Sequence, residues 1–296
     1  MAGYEVAIRL GRALTPSAHY GRGFHPTATC GTFGAAVAAG RLLGLHEHQL
    51  LHAFGIAGSQ AAGLLEFLAD GAWTKRLHPG WAAHAGLIAA LLAREGFTGP
   101  KQVLEGKNGF LRAYSDKADP SLILKDTGND YAILRTAIKI HACCRYMHPG
   151  IDAILELVGR HDLAPSDVAR VSVGIIPTGS LIIAEPREQK YRPRSTVDAQ
   201  FSMPYGAAIA LVKRRASLEE FAEDVIRSPD VAPLLRKVVC VKDPELEASY
   251  PAKWAGWAEI ETIDGQRRKS RVEMPKGEPE NPRSEEHTSE LQSRTQ

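Results

Sequence analysis

The 296-residue sequence predicts a mainly α-helical protein with a smaller α+β second domain. From the amino terminus to about residue 100, Ala, Leu and Gly recur at three- and four-residue intervals with few β-branched residues, the spacing of closely packed helices. Beyond a polar stretch the period changes: ARVSVGIIP alternates apolar and polar side chains as a strand does, and further short strand-like runs follow. These observations divide the chain into a partial all-helical domain over residues 1–132, an α+β domain over 133–282 and a polar tail over 283–296.

Helical spacing from Tyr4 to Leu14 predicts the first helix, closed by Thr15-Pro16 because proline cannot continue a helix. Three more are expected over Thr27–Leu43, Glu47–Leu65 and Trp81–Arg94, where small residues allow close approach. The polar stretch from Ser115 to Asp130 reads as the connection between domains. A helix over Gly150–Gly159, the strand in ARVSVGIIP, a helix over Val197–Arg215 and strands in KVVCV, WAEIETI and KSRVEM complete the second domain. The segment RSEEHTSELQS resembles a translated sequencing adapter and is set aside from the fold. With Leu291 as its one large aliphatic side chain, the tail is expected to make no packed contacts.

Composition excludes several classes of function. With 44% hydrophobic and 24% charged residues the chain is an ordinary globular protein, and 36 basic against 34 acidic residues create no field that favours nucleic acid. The longest apolar runs stop at Arg41 and Arg94, short of the ~20 residues that span a bilayer. The opening MAGYEVAIRLGRAL carries charges and no apolar core followed by a cleavage site, so it does not read as a secretory signal. The four cysteines lack CxxC spacing, which argues against a zinc ribbon or iron–sulfur cluster and fits reduced thiols in the cytoplasm. His46-Glu47-His48 lacks the second histidine of HExxH, and His48 and His52, four apart, have no third ligand nearby. No dinucleotide fingerprint, phosphate loop or GxSxG elbow occurs.

Three segments remain, each with a cation or an imidazole among glycines and prolines: GRGFHPTATCGT around His25, GAWTKRLHPGWAAHAG around Lys75 and KIHACCRYMHPGIDA around Lys139. Turn residues fix the backbone approach of such side chains. Abstracting a proton beside a carboxylate develops a second negative charge, so that chemistry needs a positioned base and fixed cations. His25 suits the role of base or acid near neutral pH, and Lys75, Arg76, Lys139 and Arg145 suit carboxylate binding. Taken singly, each reads more readily as a surface or capping cation.

In order along the chain, GRGFHPTATCGTFGAAVAAGRLLGL, WTKRLHPGWAAHAG, KIHACCRYMHPGIDA and DAQFSMPYGAAIAL resemble the MmgE/PrpD family, and the resemblance extends from Tyr4 to Pro282. That family includes 2-methylcitrate dehydratase, cis-aconitate decarboxylase and an iminodisuccinate epimerase, which act on small polycarboxylates without a metal or organic cofactor. The resemblance implies a large helical domain, whose last helices come from the extreme carboxyl end, and a smaller α+β lid domain. It implies carbanion chemistry, with 2-methylcitrate-type dehydration, as in propionate metabolism, expected first and epimerisation or decarboxylation as alternatives. A catalytically silent helical binding module is the alternative from another class.

Carried over by motif, His25, Lys75 and Lys139 are the expected catalytic residues, and Arg76, Cys144, Arg145 and His148 the expected substrate-binding ones. Cys144, Arg145 and His148 match a bacterial form of the third motif, where the cysteine reads as a packed small hydrophobe as readily as a pocket residue. A cytoplasmic homodimer is expected, and His25, Lys75 and Lys139 are expected to converge on one cleft at the domain junction, because three cations around one site are costly unless an anionic ligand neutralises them. Family members carry a long segment before the region where this chain starts, with an aspartate and a histidine expected in the active site. With the adapter-like end, the chain therefore reads as an internal fragment, expected to be poorly soluble and a poor catalyst by itself.

Overall fold

The computed structural model describes residues 1–282, so the expectation for the tail lies outside the described residues. The chain divides into two compact units, Met1–Thr136 and a second beginning at Ala137. The expected fold class holds: the first unit is helical and the second is built on a four-stranded mixed sheet with helices. Among the described residues no helix is long and apolar enough to cross a membrane.

The first unit contains α1 (Ala2–Ala13), α2 (Pro16–Gly21), α3 (Pro26–Leu42), α4 (Glu47–Gln60), α5 (Phe67–Asp70), α6 (Thr74–Arg94), α7 (Phe110–Tyr114) and α8 (Ser121–Leu124). Helix α3 lies at its centre, against α1, α4 and α6. Phe33 and Ala36 of α3 share one buried cluster with Leu10 and Leu14 and with Ala89, Ala90 and Ala93 of α6. Alanine on both sides of a helix contact lets the backbones come close, which is what the small-residue periodicity predicts.

Three sequence expectations need correction here. Helix α4 stops at Gln60 rather than Leu65, because Ala61 turns to an extended conformation and Leu64 pairs with Phe24 in an antiparallel bridge. Helix α6 starts at Thr74 rather than Trp81 and runs through Pro79. The carbonyl that this proline cannot serve is that of Lys75, in the partly exposed first turn, so a helix continues where a turn was expected. The stretch from Ser115 to Asp130 is no free connection but is strapped to α1. Asp119 N–H donates to Ala13 O at 2.7 Å, and the Arg9 guanidinium donates to Lys125 O at 2.6 Å and Asp130 O at 2.7 Å.

The second unit contains α9 (His148–His161), α10 (Pro177–Ile183), α11 (Arg187–Lys190), α12 (Thr196–Gln200) and α13 (Met203–Lys213). Its strands are β1 (Val168–Ile175), β2 (Val238–Lys242), β3 (Gly256–Thr262) and β4 (Arg267–Val272), in the order β2-β1-β3-β4. Strand β1 pairs parallel to β2, with Val173 opposite Cys240, and antiparallel to β3, with Val173 opposite Ala258. The β3 side chains alternate, Ala258, Ile260 and Thr262 buried and Glu259 and Glu261 on the other face. Helix α9 lies on β3 and β4 and buries Ile151, Ile154, Leu157 and Val158. The single helix expected over Val197–Arg215 is two. Phe201 leaves the helical conformation, and Ser202 caps α13 by accepting Tyr205 N–H at 3.1 Å.

Candidate active site

His25 immediately precedes Pro26, and proline forces the residue before it out of the helical region. It accordingly sits at φ −102°, ψ 110° as the N-cap of α3. Its backbone is tied down on both sides: the N–H donates to Gly63 O at 3.0 Å, and the carbonyl accepts from Ala28 N at 3.0 Å and Thr29 N at 3.2 Å. Gly63 has φ +145°, and a Cβ there would stand 2.4 Å from the Ala28 methyl and 3.5 Å from the His78 ring. Only glycine meets both demands.

The half-buried His25 ring places Nδ1 2.8 Å from Nδ1 of His78, and the edge of Phe67 lies against both rings with centroids 5.7 Å away. His78 is 8% exposed and follows Lys75 by three residues on α6, about one turn. Burial lowers its pKa, and the Lys75 charge lowers it further. Two nitrogens at this distance share one hydrogen, so the pair carries at most one positive charge. Lys75 is half-buried in the first turn of α6, whereas Arg76 is exposed and spreads its guanidinium over Trp73 at 5.3 Å. Neither α3 nor α6 has an acidic residue in its first turn, so neither first turn itself offsets the positive end of its helix dipole. Such a place suits a carboxylate.

In the second unit, the irregular segment carrying Lys139 is pinned at several points. Ile138 N–H donates to Gly277 O at 2.8 Å, and His141 Nε2 pairs with Asp152 Oδ1 at 2.8 Å in a buried contact. Cys144 N–H donates to Gln200 O at 2.8 Å. Exposed Lys139 donates from Nζ to Cys143 O at 3.1 Å. Cys143 is buried and its thiol is pushed well above the usual range, first by burial, so it is a packed thiol; Cys144 is half-buried.

Arg145 already holds a carboxylate, since its guanidinium makes a two-pronged ion pair with Glu278 while lying 3.9 Å over the Trp254 ring. His148 is 2% exposed, and burial first, then the charges around His141 and Lys139, push its pKa down to about 3. It is therefore neutral near pH 7, and its buried Nε2 has no hydrogen-bond partner among the described residues.

Of the seven residues singled out from sequence, His25, Lys75 and Arg76 belong to the first unit, where His25 and Lys75 are linked through His78. Lys139, Cys144, Arg145 and His148 lie together in the second unit along one short stretch. Sequence reasoning missed His78, although it stands inside the quoted WTKRLHPG. Reading 75–78 as one helical turn would have put it beside Lys75. It also missed Lys190, which is 6% exposed, donates to Ile182 O at 2.6 Å and has its pKa lowered by burial to about 8. Nothing in the pattern around Lys190 distinguishes it from a surface lysine. His52, considered as a metal ligand, instead accepts Gly99 N–H at Nδ1 at 3.3 Å.

Comparison with known proteins adds an independent finding. Residues 1–123 match the MmgE/PrpD N-terminal domain, and residues 141–290 the MmgE/PrpD C-terminal domain. The chain is similar to a cis-aconitate decarboxylase of Aspergillus terreus, at 31% identity over 94% of this chain and 59% of that protein. It is similar to a cis-aconitate decarboxylase-like protein of Aspergillus oryzae, at 29% identity over 94% of this chain and 59% of that one. It is also similar to human cis-aconitate decarboxylase, at 31% identity over 84% of this chain and 51% of the relative. The chain thus spans between 51% and 59% of the length of these relatives.

Proposed function

The chain belongs to the MmgE/PrpD family, and on that premise we propose that its protein is a lyase acting on a small tricarboxylate, with cis-aconitate decarboxylation as the favoured reaction. The observation that carries this reading is the His25–His78 pair set beside Lys75 at the start of two helices without acidic first turns. Decarboxylation breaks the bond between the carbon chain and one carboxylate and leaves the electron pair on the chain. Fixed cations hold that charge without reorganising, and an acid must return a proton to carbon before product leaves. Lys75 is assigned the first task and His25 the second. Lys139 is assigned a further carboxylate on the same chemical grounds, as is Arg76 at the first helix turn.

Two of the relatives named above are cis-aconitate decarboxylases, which favours loss of CO2 over loss of water. Dehydration of a 2-methylcitrate-type substrate is the second reading, supported by the KIHACCRYMHPG segment, which matches a bacterial form of that motif. It passes through a comparable anion, so the same cations serve it. The proposal includes a cytoplasmic homodimer working without an organic cofactor, for which the family resemblance is the support.

Incubating the protein that carries this chain, at the full length of its relatives, with cis-aconitate and, separately, with 2-methylcitrate tests the proposal. CO2 release from cis-aconitate above the buffer rate, lost in His25→Ala and reduced about 10²-fold or more in Lys75→Ala, is the expected result. Dehydration of 2-methylcitrate in preference transfers support to the second reading, and turnover of neither overturns both.

A further inference from the structure

His78 has no role in the function as stated, yet its ring lies within hydrogen-bond distance of the expected acid–base residue. Its Nδ1 faces His25 Nδ1 at 2.8 Å, and it is held there by burial and by the Phe67 edge that lies against both rings. We propose that His78 is a positioning residue that accepts a hydrogen bond from His25 and thereby holds His25 in the Nδ1–H tautomer, which makes Nε2 the atom that gains and loses protons.

The direction of that hydrogen bond follows from which ring can be charged. When the pair takes up a proton, the charged ring must carry hydrogens on both its nitrogens, so it is the donor and its partner the acceptor. His78 is the more buried ring and stands one helical turn from the Lys75 ammonium, both of which disfavour charge on it. His25 is only half-buried and so more open to water than His78, which leaves it the ring better able to carry the charge. A His25 that keeps Nδ1–H toward His78 in both protonation states exchanges its proton at Nε2 without breaking the hydrogen bond. In the reverse arrangement Nε2 already bears hydrogen and Nδ1 is occupied as acceptor, leaving neutral His25 no lone pair with which to act as a base. One ring nitrogen's partner fixes what the other can do.

The inference rests on His25 having the acid–base role proposed above, but it is tested without turnover. Long-range proton–nitrogen NMR correlation of the imidazole rings in the full chain reads the tautomer directly. At a pH where the pair is neutral, His25 is expected to show a protonated Nδ1 and an unprotonated Nε2. In His78→Leu, which removes the acceptor, His25 is expected to shift toward the Nε2–H form that free histidine prefers. In His78→Asn, whose side-chain oxygen offers an acceptor at the same branch point, the Nδ1–H form is expected to return. A wild-type His25 found mainly as Nε2–H overturns the proposal, and so does a tautomer unchanged by His78→Leu. The wild-type spectrum decides the question even if a variant fails to fold. Activity then separates the two readings: His25→Ala tests whether His25 is catalytic at all. Given that it is, His78→Leu is expected to lower kcat at least about tenfold with little change in KM and His78→Asn to restore most of it, whereas full kcat in His78→Leu contradicts the positioning role.

Discussion

Arg145 and Glu278 meet across the second unit in a two-pronged ion pair, Arg145 Nε donating to one carboxylate oxygen at 2.7 Å and an Nη nitrogen to the other. The carboxylate is 4% exposed and the guanidinium is stacked on Trp254, so the pair ties the segment after Lys139 to the turn near the end of the described chain. Removing Glu278 takes both hydrogen bonds from a guanidinium that is 30% exposed and leaves water to replace them only in part. Glu278→Ala is therefore expected to lower stability by about 2–4 kcal/mol in urea denaturation. Arg145→Lys, which keeps the charge but loses the planar fork, should cost less. A Glu278→Ala loss below about 0.5 kcal/mol, typical of an exposed pair, would show that this contact does not hold the segment.

Gly63 sets the backbone that positions His25. Its φ of +145° is one that L side chains rarely adopt, and an added methyl would collide with Ala28. Gly63→Ala is expected to lower stability by about 2–4 kcal/mol, combining backbone strain with a steric clash. The melting temperature should fall by several degrees, and the His25 ring resonances should move with it. An unchanged melting temperature would mean that this strand-like return is pliable.

His148 gives a pH dependence with a definite sign. Its pKa is about 3 in the folded protein against roughly 6.5 in an unfolded chain, with His141, Lys139 and Arg145 as the neighbours that disfavour its charge. Between those values the unfolded chain binds a proton that the folded chain does not, so stability falls as pH falls from about 6.5 toward 3. His19 and His78, whose pKa values are also lowered by burial, act in the same direction. The urea midpoint should be lower at pH 5 than at pH 7, with a smaller difference in His148→Asn, which retains a donor where the imidazole Nδ1 stood but does not titrate. Equal pH dependence in the two proteins would place the titration elsewhere.

What the sequence made legible was whatever has a period or a motif. Alanine and leucine spacing identified α1 and α3, and alternation identified β1 and β3, because those patterns are imposed by burying one face. Pro79 was read as punctuation and concealed the first turns of α6, where a lost hydrogen bond is tolerated at a partly exposed helix start. The polarity of residues 115–130 suggested a linker because nothing local reveals that Arg9, far away on α1, collects their carbonyls. The same limit applies to the site. His25, Lys75 and Lys139 stand in long motifs, whereas the pairing of His25 with His78 and of Arg145 with Glu278 depends on folding distant segments together.

Binding is the step on which the whole functional account depends, and calorimetric titration of cis-aconitate into the full chain at neutral pH measures it most directly. The account predicts saturable binding that weakens at least about tenfold, or ~1.4 kcal/mol, in Lys75→Ala and again in Lys139→Ala, while a surface control such as Lys269→Ala leaves it unchanged. Saturable binding with the same affinity in both lysine variants, or no binding of cis-aconitate at all, would contradict it.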